Sequence, residues 1–387
     1  MIKNKLKADF IQIYGEREED IRFYFSPGRV NLIGEHIDYN GGFVFPCALD
    51  IGTYLAIRKR PDNEVHFATL NFPLTTHFKL SETIHNDMKH GWSNYPKGII
   101  KAFLDLNIEL SGMDLLYFGN IPNGSGLSSS ASIEVVTAFA LNDLFHGRLG
   151  LLSLVEMAQD TECDFIGVKC GIMDQFAVAF GKEKSAILLN CDTLDYVYVP
   201  LNLDGYRIVI CNTNKQRGLG DSKYNERTQE CESALKGLQK ALEINYLCDI
   251  TPEIFEAHKG FIDQAIPLNR ATHAIYENDR VKKAVEALKE NNLEAFGQLM
   301  TASHYSLKNL YEVSCFELDV MVEEALKIKG TIGARMTGAG FGGCTVNIVS
   351  DAFIDEFKSS VSAHYLERTG LKADITIASV GDGVKII

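Results

Sequence analysis

The chain has 387 residues, 46% of them apolar and 23% charged, with a formal net charge of −13; it is long enough for more than one hydrophobic core, so two domains are expected. A surface that acidic repels phosphate backbones and anionic lipid heads, which argues against nucleic acid and membrane as partners. The nine scattered cysteines include no C-x-x-C pair, which argues against a disulfide framework or zinc site and fits reduced thiols in a cytoplasmic protein.

The chain starts MIKNKLKADF, without the apolar core of a secretory signal, and nowhere shows the run of about 18 apolar residues that a membrane span needs. A helix is expected over residues 6–18. Strands are expected at 22–25, 53–58, 114–118, 186–189, 196–199 and 207–211 from their alternating or β-rich patterns. Long helical patterns follow at 226–242, 279–290 and 317–328, and two strands close the chain at 344–349 and 373–378. Interspersed helices and strands indicate an α+β or α/β architecture, with a change of character near residues 200–206.

Three glycine-bearing segments stand out. Residues 26–42, SPGRVNLIGEHIDYNGG, place an Arg, a Glu, a His, an Asp and an Asn in one short loop, a set of donors and acceptors suited to a polyhydroxylated ligand. Such a loop is equally an ordinary solvated turn when taken alone. Residues 119–131, GNIPNGSGLSSSA, lie between a strand and an amphipathic helix. That arrangement points free N–H groups and the positive end of a helix at an anion, and its serines can cap the helix, bond phosphate or reach a metal. It lacks the Lys of a Walker loop. Residues 336–343, MTGAGFGG, precede a strand rather than a helix, which weakens a dinucleotide-fold reading.

Two carboxylates sit where apolar residues are expected. Glu162 falls on the buried stripe of the helical pattern starting at Leu151, where a carboxylate is costly unless it meets a cation or a basic side chain. Asp174 interrupts an apolar run and is either a helix cap or a reacting group able to take a hydroxyl proton.

Taken together, these segments resemble the galactokinase branch of the GHMP small-molecule kinase superfamily. Residues 28–36 and 38–42 are similar to its sugar signature and residues 122–131 to its phosphate loop. Residues 336–343 match its third motif, and residues 221–227, DSKYNER, are a further galactokinase-like stretch. The motifs come in the family's order over residues 26 to 343. The resemblance implies an α+β, two-domain GHMP kinase fold. Residues 1–205 would form a ribosomal protein S5 domain 2-like unit and residues 206–387 a ferredoxin-like unit, with the active site between them. It implies a monomer that uses galactose and MgATP and transfers a phosphoryl group to the anomeric hydroxyl. Asp174 would be the catalytic base and Arg29 would stabilise the transferring phosphoryl group. Glu35, His36, Asp38, Gly171 and Tyr224 would bind sugar. Ile37 belongs to the same run but alternates away from its neighbours and is expected to pack inward. Gly124, Ser125, Gly126, Leu127, Ser128, Ser129 and Ser130 would cradle the ATP phosphates, while Ser130 and Glu162 would hold Mg²⁺. Bacterial-type members usually carry Thr at the position of Ile37, and Ile resembles eukaryotic relatives. A kinase for N-acetylgalactosamine or arabinose is the nearest alternative. A non-catalytic sugar sensor is another, against which the small residues Ser130 and Ala131 speak.

Overall fold

A computed structural model describes residues 2–17, 20–122, 126–215 and 220–387, with the side chains of residues 220–222 outside that description. The chain opens with α1 (Ile2–Tyr14), β1 (Arg22–Asn31), β2 (Phe43–Val44), β3 (Pro46–Lys59), β4 (Glu64–Thr69) and β5 (Thr76–Lys79). Next come α2 (Asn94–Asp105), β6 (Met113–Gly119), α3 (Ser129–Leu144), α4 (Leu151–Asp160) and α5 (Met173–Phe180). Strands β7 (Ser185–Asn190), β8 (Tyr196–Pro200) and β9 (Tyr206–Asn212) lead into a helical region of α6 (Gly220–Leu238), α7 (Pro252–His258), α8 (Ala265–Lys289), α9 (Leu293–Ser306) and α10 (Phe316–Lys327). The last elements are β10 (Thr331–Thr337), β11 (Cys344–Ser350), α11 (Ile354–Thr369), β12 (Asp374–Ala378) and β13 (Lys385–Ile386).

Three sheets organise these elements. A six-stranded mixed sheet runs β13-β1-β3-β6-β4-β5, a four-stranded sheet runs β10-β11-β9-β12, and β2, β7 and β8 form a third. In the six-stranded sheet only β4 and β6 pair in parallel. The four-stranded sheet is antiparallel throughout and carries α10 and α11 against its core of Val209, Cys211, Ala334 and Val349. The last strand returns to the first sheet and pairs with β1 at Tyr24 and Phe25. The amphipathic helix α1 buries Leu6 and Phe10 against Phe23, Ala56 and Leu116 of that sheet; it starts earlier than expected and ends at Tyr14, where Gly15 turns to a positive φ of 73° and its carbonyl accepts from Arg58.

Two local expectations change. The sugar-signature segment starts inside a strand: Ser26 to Asn31 belong to β1, and the register against β3 shifts between Pro27 and Arg29. Gly28 is required at that bulge, since an added Cβ would stand 2.9 Å from the carbonyl oxygen of Leu127. The helical pattern that starts at Leu151 stays α-helical only to Asp160 and then widens into a π-turn over Thr161–Ile166. Such bulges recur at functional sites. Here the widening keeps Glu162 buried while Phe165 and Ile166 are only partly so.

Helix α9 crosses β10 at closest approach through glycines, with an added Cβ at Gly297 only 2.1 Å from the Ile332 carbonyl oxygen. Gly297→Ala should therefore lower stability by about 1–3 kcal/mol through overpacking, read as a lower melting temperature in calorimetry; an unchanged transition would contradict the packing described.

Candidate functional site

A guanidinium without water around it needs an anion, and Arg29 on β1 is 4% exposed. Its Nε donates to Asp174 Oδ1 at 2.7 Å and its Nη2 lies 2.5 Å from the same oxygen. Its Nη1 donates to the carbonyl oxygen of Gly126 at 2.8 Å, in the serine-rich loop. Asp174 stands in the first turn of α5, and its Oδ2 accepts from the hydroxyl of Ser128. Three segments far apart in the chain thus meet on one carboxylate. Asp174 does not serve as the helix cap that its position allows, because Ile172 is the cap residue of α5 and Asp174 lies inside its first turn.

Beside this pair is a cavity of about 360 Å³ lined by Arg29, Glu35, His36, Asp38, Gly171, Asp174 and Tyr224. Glu35 Oε1 accepts from the Gly338 amide at 2.7 Å and the Thr337 hydroxyl at 3.0 Å, and lies 3.3 Å from Arg335 Nη2. Asp38 faces Gly171 so closely that an added Cβ there would fall 2.1 Å from Asp38 Oδ2. Burial pushes the Asp38 carboxyl up to about 7, with the charges of Asp174 and Glu35 adding to it. His36 is pulled down to about 4 by burial, against the influence of Glu35. Ile37, counted in the same run, is fully buried in the main hydrophobic cluster and packs on Gly42, outside the cavity lining. The loop 338–341 and Lys169, Met173 and Asn225 also line the cavity; the loop carried only weak weight in the sequence, Asn225 lay in the marked stretch 221–227 without a role of its own, and Lys169 and Met173 were not singled out.

The serine-rich loop divides its tasks. Gly124 and Ser125 lie outside the described residues. Gly126 has a positive φ of 72°, which glycine adopts without strain. Leu127 is a core residue by its side chain, 1% exposed, and offers only its backbone, whose carbonyl oxygen accepts from the Arg29 amide. Ser128 takes a left-handed φ of 58° and makes no helix cap; its hydroxyl is turned to Asp174 instead. Ser129 and Ser130, opening α3, line a second cavity of about 210 Å³ with Thr53, Asn71, Phe72, Trp92, Tyr95 and Tyr117. Sequence patterning alone did not mark this aromatic cavity; the one tryptophan of the chain, set in a glycine- and serine-bearing turn, was the available signal.

Glu162 is 8% exposed and accepts from Gln175 Nε2 at 2.8 Å, not from a lysine or arginine. Burial pushes its carboxyl up to about 7, Asp174 adds to that, and hydrogen bonds from Ser130 and Glu134 oppose it. Glu134 is itself fully buried and pushed well above the usual carboxylate range, first by burial and then by Glu162. Two buried acids beside a serine hydroxyl, bonded to an amide and only weakly offset by Arg29, are oxygen donors of the kind a hard divalent ion such as Mg²⁺ takes.

An acid whose pKa is raised on folding is penalised in its charged form, so stability falls as pH rises from the unfolded value of 3.8 to the folded value of about 7. Asp38→Asn removes that penalty. Its melting temperature should exceed that of the parent by a margin that widens between pH 4 and pH 7 and levels off above, reaching about 2–4 °C. A constant or inverted margin would contradict the burial assigned to Asp38.

Known proteins match this arrangement along its whole length. A family model described as the galactokinase galactose-binding signature matches residues 8–59. The N-terminal and C-terminal GHMP kinase domains match residues 94–182 and 284–366. The galactokinase of Clostridium tetani is 54% identical over 98% of this chain and 96% of that protein, and that of Bacillus subtilis is 51% identical over 99% of each. The crystal structure of Lactococcus lactis galactokinase complexed with galactose is 45% identical, covers 100% of both chains and superposes with a TM-score of 0.95. Methanococcus jannaschii mevalonate kinase, 22% identical with a TM-score of 0.68 over 94% of this chain and 99% of that one, shares the fold. With its signature, both kinase domains and full-length relatives in agreement, the chain belongs to the galactokinase family and has the α+β GHMP kinase fold.

Proposed function

We propose that the chain transfers the terminal phosphoryl group of ATP to the anomeric hydroxyl of galactose, giving galactose 1-phosphate and ADP. The observation that carries this is the Arg29–Asp174 pair, which stands between a polar cavity of sugar size and a serine-rich helix start beside an aromatic cavity. In phosphoryl transfer, catalysis is mostly positioning and charge stabilisation. Glu35, Asp38, Gly171 and Tyr224 hold the sugar, with the Glu35 carboxylate itself held by Arg335 and the Gly338 amide. Asp174 takes or orients the hydroxyl proton, kept in place by Arg29 on one oxygen and Ser128 on the other. Arg29 faces the negative charge of the phosphoryl group in flight.

The phosphates lie on the loop 124–130 at the N-terminal end of α3, and the purine enters the cavity with Trp92, Tyr95 and Phe72. Ser130 and Glu162 would hold a Mg²⁺ ion, which would neutralise phosphate charge when bound. Residues 1–205 and 206–387 are the proposed domains, with the last strand of the second returning to the first sheet, and the working unit is a monomer in the cytoplasm. The positive potential that an acidic chain must gather at this site comes from Arg29, backbone amides and the ion.

Asp174→Asn keeps size and hydrogen-bonding ability but removes the charge. It should lower kcat by about 10²-fold or more while leaving the calorimetric galactose Kd within about ten-fold; parental turnover in that variant would refute the role. Trp92 makes a second test possible, because no other tryptophan contributes signal. Addition of ADP or ATP should change its fluorescence in a saturable way, whereas galactose alone should not, and a silent nucleotide titration would remove the purine from this cavity.

A further inference from the structure

His36 stands at the sugar cavity with both ring nitrogens already engaged by protein. Nε2 lies 3.2 Å from the carbonyl oxygen of Ala339, and Nδ1 lies 2.9 Å from the Tyr39 hydroxyl. A carbonyl oxygen only accepts, so Nε2 carries the proton. A second proton on Nδ1 would put an imidazolium in a site that burial disfavours, with Arg227 and Arg335 also opposing it and Glu35 favouring it. Nδ1 is therefore an acceptor, and Tyr39 donates to it. That choice propagates. With its own proton used, the Tyr39 oxygen accepts from the Tyr311 hydroxyl at 2.8 Å, and Tyr311 accepts from the Cys231 thiol at 3.0 Å. The Cys231 sulfur accepts in turn from Asn40 Nδ2 at 3.7 Å.

We infer that Cys231, Tyr311 and Tyr39 form a one-way hydrogen-bond chain that holds His36 as the neutral Nε2–H tautomer, and that this tautomer pins the glycine-rich loop at Ala339 against the sugar cavity. All three are positioning residues, since the cavity lining contains His36 and Ala339 but not Cys231, Tyr311 or Tyr39. The chain joins four separate parts of the fold. Tyr39 and Asn40 come from the turn after β1 and Cys231 from α6, which also carries Tyr224. Tyr311 comes from the π-turn after α9, and Ala339 from the loop between β10 and β11. The rings involved also pack on one another, with His36 5.6 Å from Tyr224 and 5.0 Å from Tyr311, and Tyr39 5.2 Å from Tyr224. A change at Tyr39 therefore reaches two cavity-lining groups, Tyr224 and Ala339, without removing a sugar contact. The positioning role rests on the cavity being the sugar site; the tautomer does not.

The test uses the full chain labelled with ¹⁵N-histidine, whose ring nitrogens report protonation in long-range proton–nitrogen spectra, the His36 signals being assigned with His36→Gln. The expected spectrum is a neutral ring protonated on Nε2 at pH 7 and still neutral at about pH 5, below the ordinary histidine range. Tyr39→Phe takes the donor away from Nδ1, so it should move the Nδ1 resonance while Nε2 keeps its proton on Ala339, and raise the galactose KM by about three- to ten-fold with kcat within about two-fold. Cys231→Ser, which keeps a donor, should leave both readouts as in the parent. The proposal is overturned if parental His36 carries its proton on Nδ1 or is charged at pH 7, or if Tyr39→Phe changes neither the spectrum nor KM. Should Tyr39→Phe fail to fold, the parental spectrum alone decides. A parental chain that shows the Nε2–H ring yet phosphorylates no sugar would count against the kinase reading and leave the hydrogen-bond chain standing.

Discussion

Arginine 29 is buried, and a buried guanidinium is tolerable only where a carboxylate and further acceptors meet it. Asp174 meets it from another helix, the Gly126 carbonyl from another loop, and Ser128 closes the far side of the same carboxylate. Much of the local architecture follows from that demand. Gly28 is needed so that β1 can pass Leu127 at the distance the pair requires, and Ser128 adopts a left-handed backbone so that its hydroxyl turns to Asp174 rather than to the helix end. The interaction that stabilises the joint between three segments is also the one to which the proposed mechanism gives the charge of the transfer.

Around this pair the site collects acids. Glu35, Asp38, Asp174, Glu162 and Glu134 lie close enough to influence one another. Folding brings them together against their mutual repulsion, so the site draws stability from elsewhere, from the large core that surrounds β1, β3 and α3. Such local cost is common at functional sites, where groups are held ready for a ligand rather than for one another. A sugar rich in hydroxyl donors suits Glu35 and Asp38, and an Mg²⁺ ion suits Glu162. The acids thus offer donors to two different partners in the proposed reaction, with Glu162 sharing its cavity with Glu35 and Asp38.

Much of this was legible in the sequence, for reasons that can be named. The strand expected at 207–211 was read to within a residue at each end, whereas 53–58 caught only the second half of β3, whose first half begins with Pro46 and pairs with β1 across a register shift. Asp174 and Glu162 were conspicuous because a carboxylate among apolar neighbours needs a reason. What stayed hidden depends on contacts between distant segments. The π-turn at Thr161–Ile166 shifts the helical period by a local widening that 3.6-residue counting does not contain. Strand β13 is two residues long and has no periodicity to read. The Ser128–Asp174 bond joins residues 46 positions apart and the Tyr39–Tyr311 link of the His36 chain spans 272, and no spacing rule signals them. Glu134 escaped notice because α3 is buried on most of its surface, which blurs the amphipathic stripe that would have made a buried acid stand out.

The account stands or falls on whether a terminal phosphate and an anomeric hydroxyl meet at the Arg29–Asp174 pair. Phosphorus-31 NMR of the chain incubated with MgATP and galactose tests that directly, because the product signal identifies both the reaction and the carbon that receives the phosphate. The predicted result is loss of the terminal ATP resonance with growth of a phosphomonoester coupled to the anomeric proton. ATP that persists unchanged, or a phosphate appearing on any other carbon of the sugar, would contradict it.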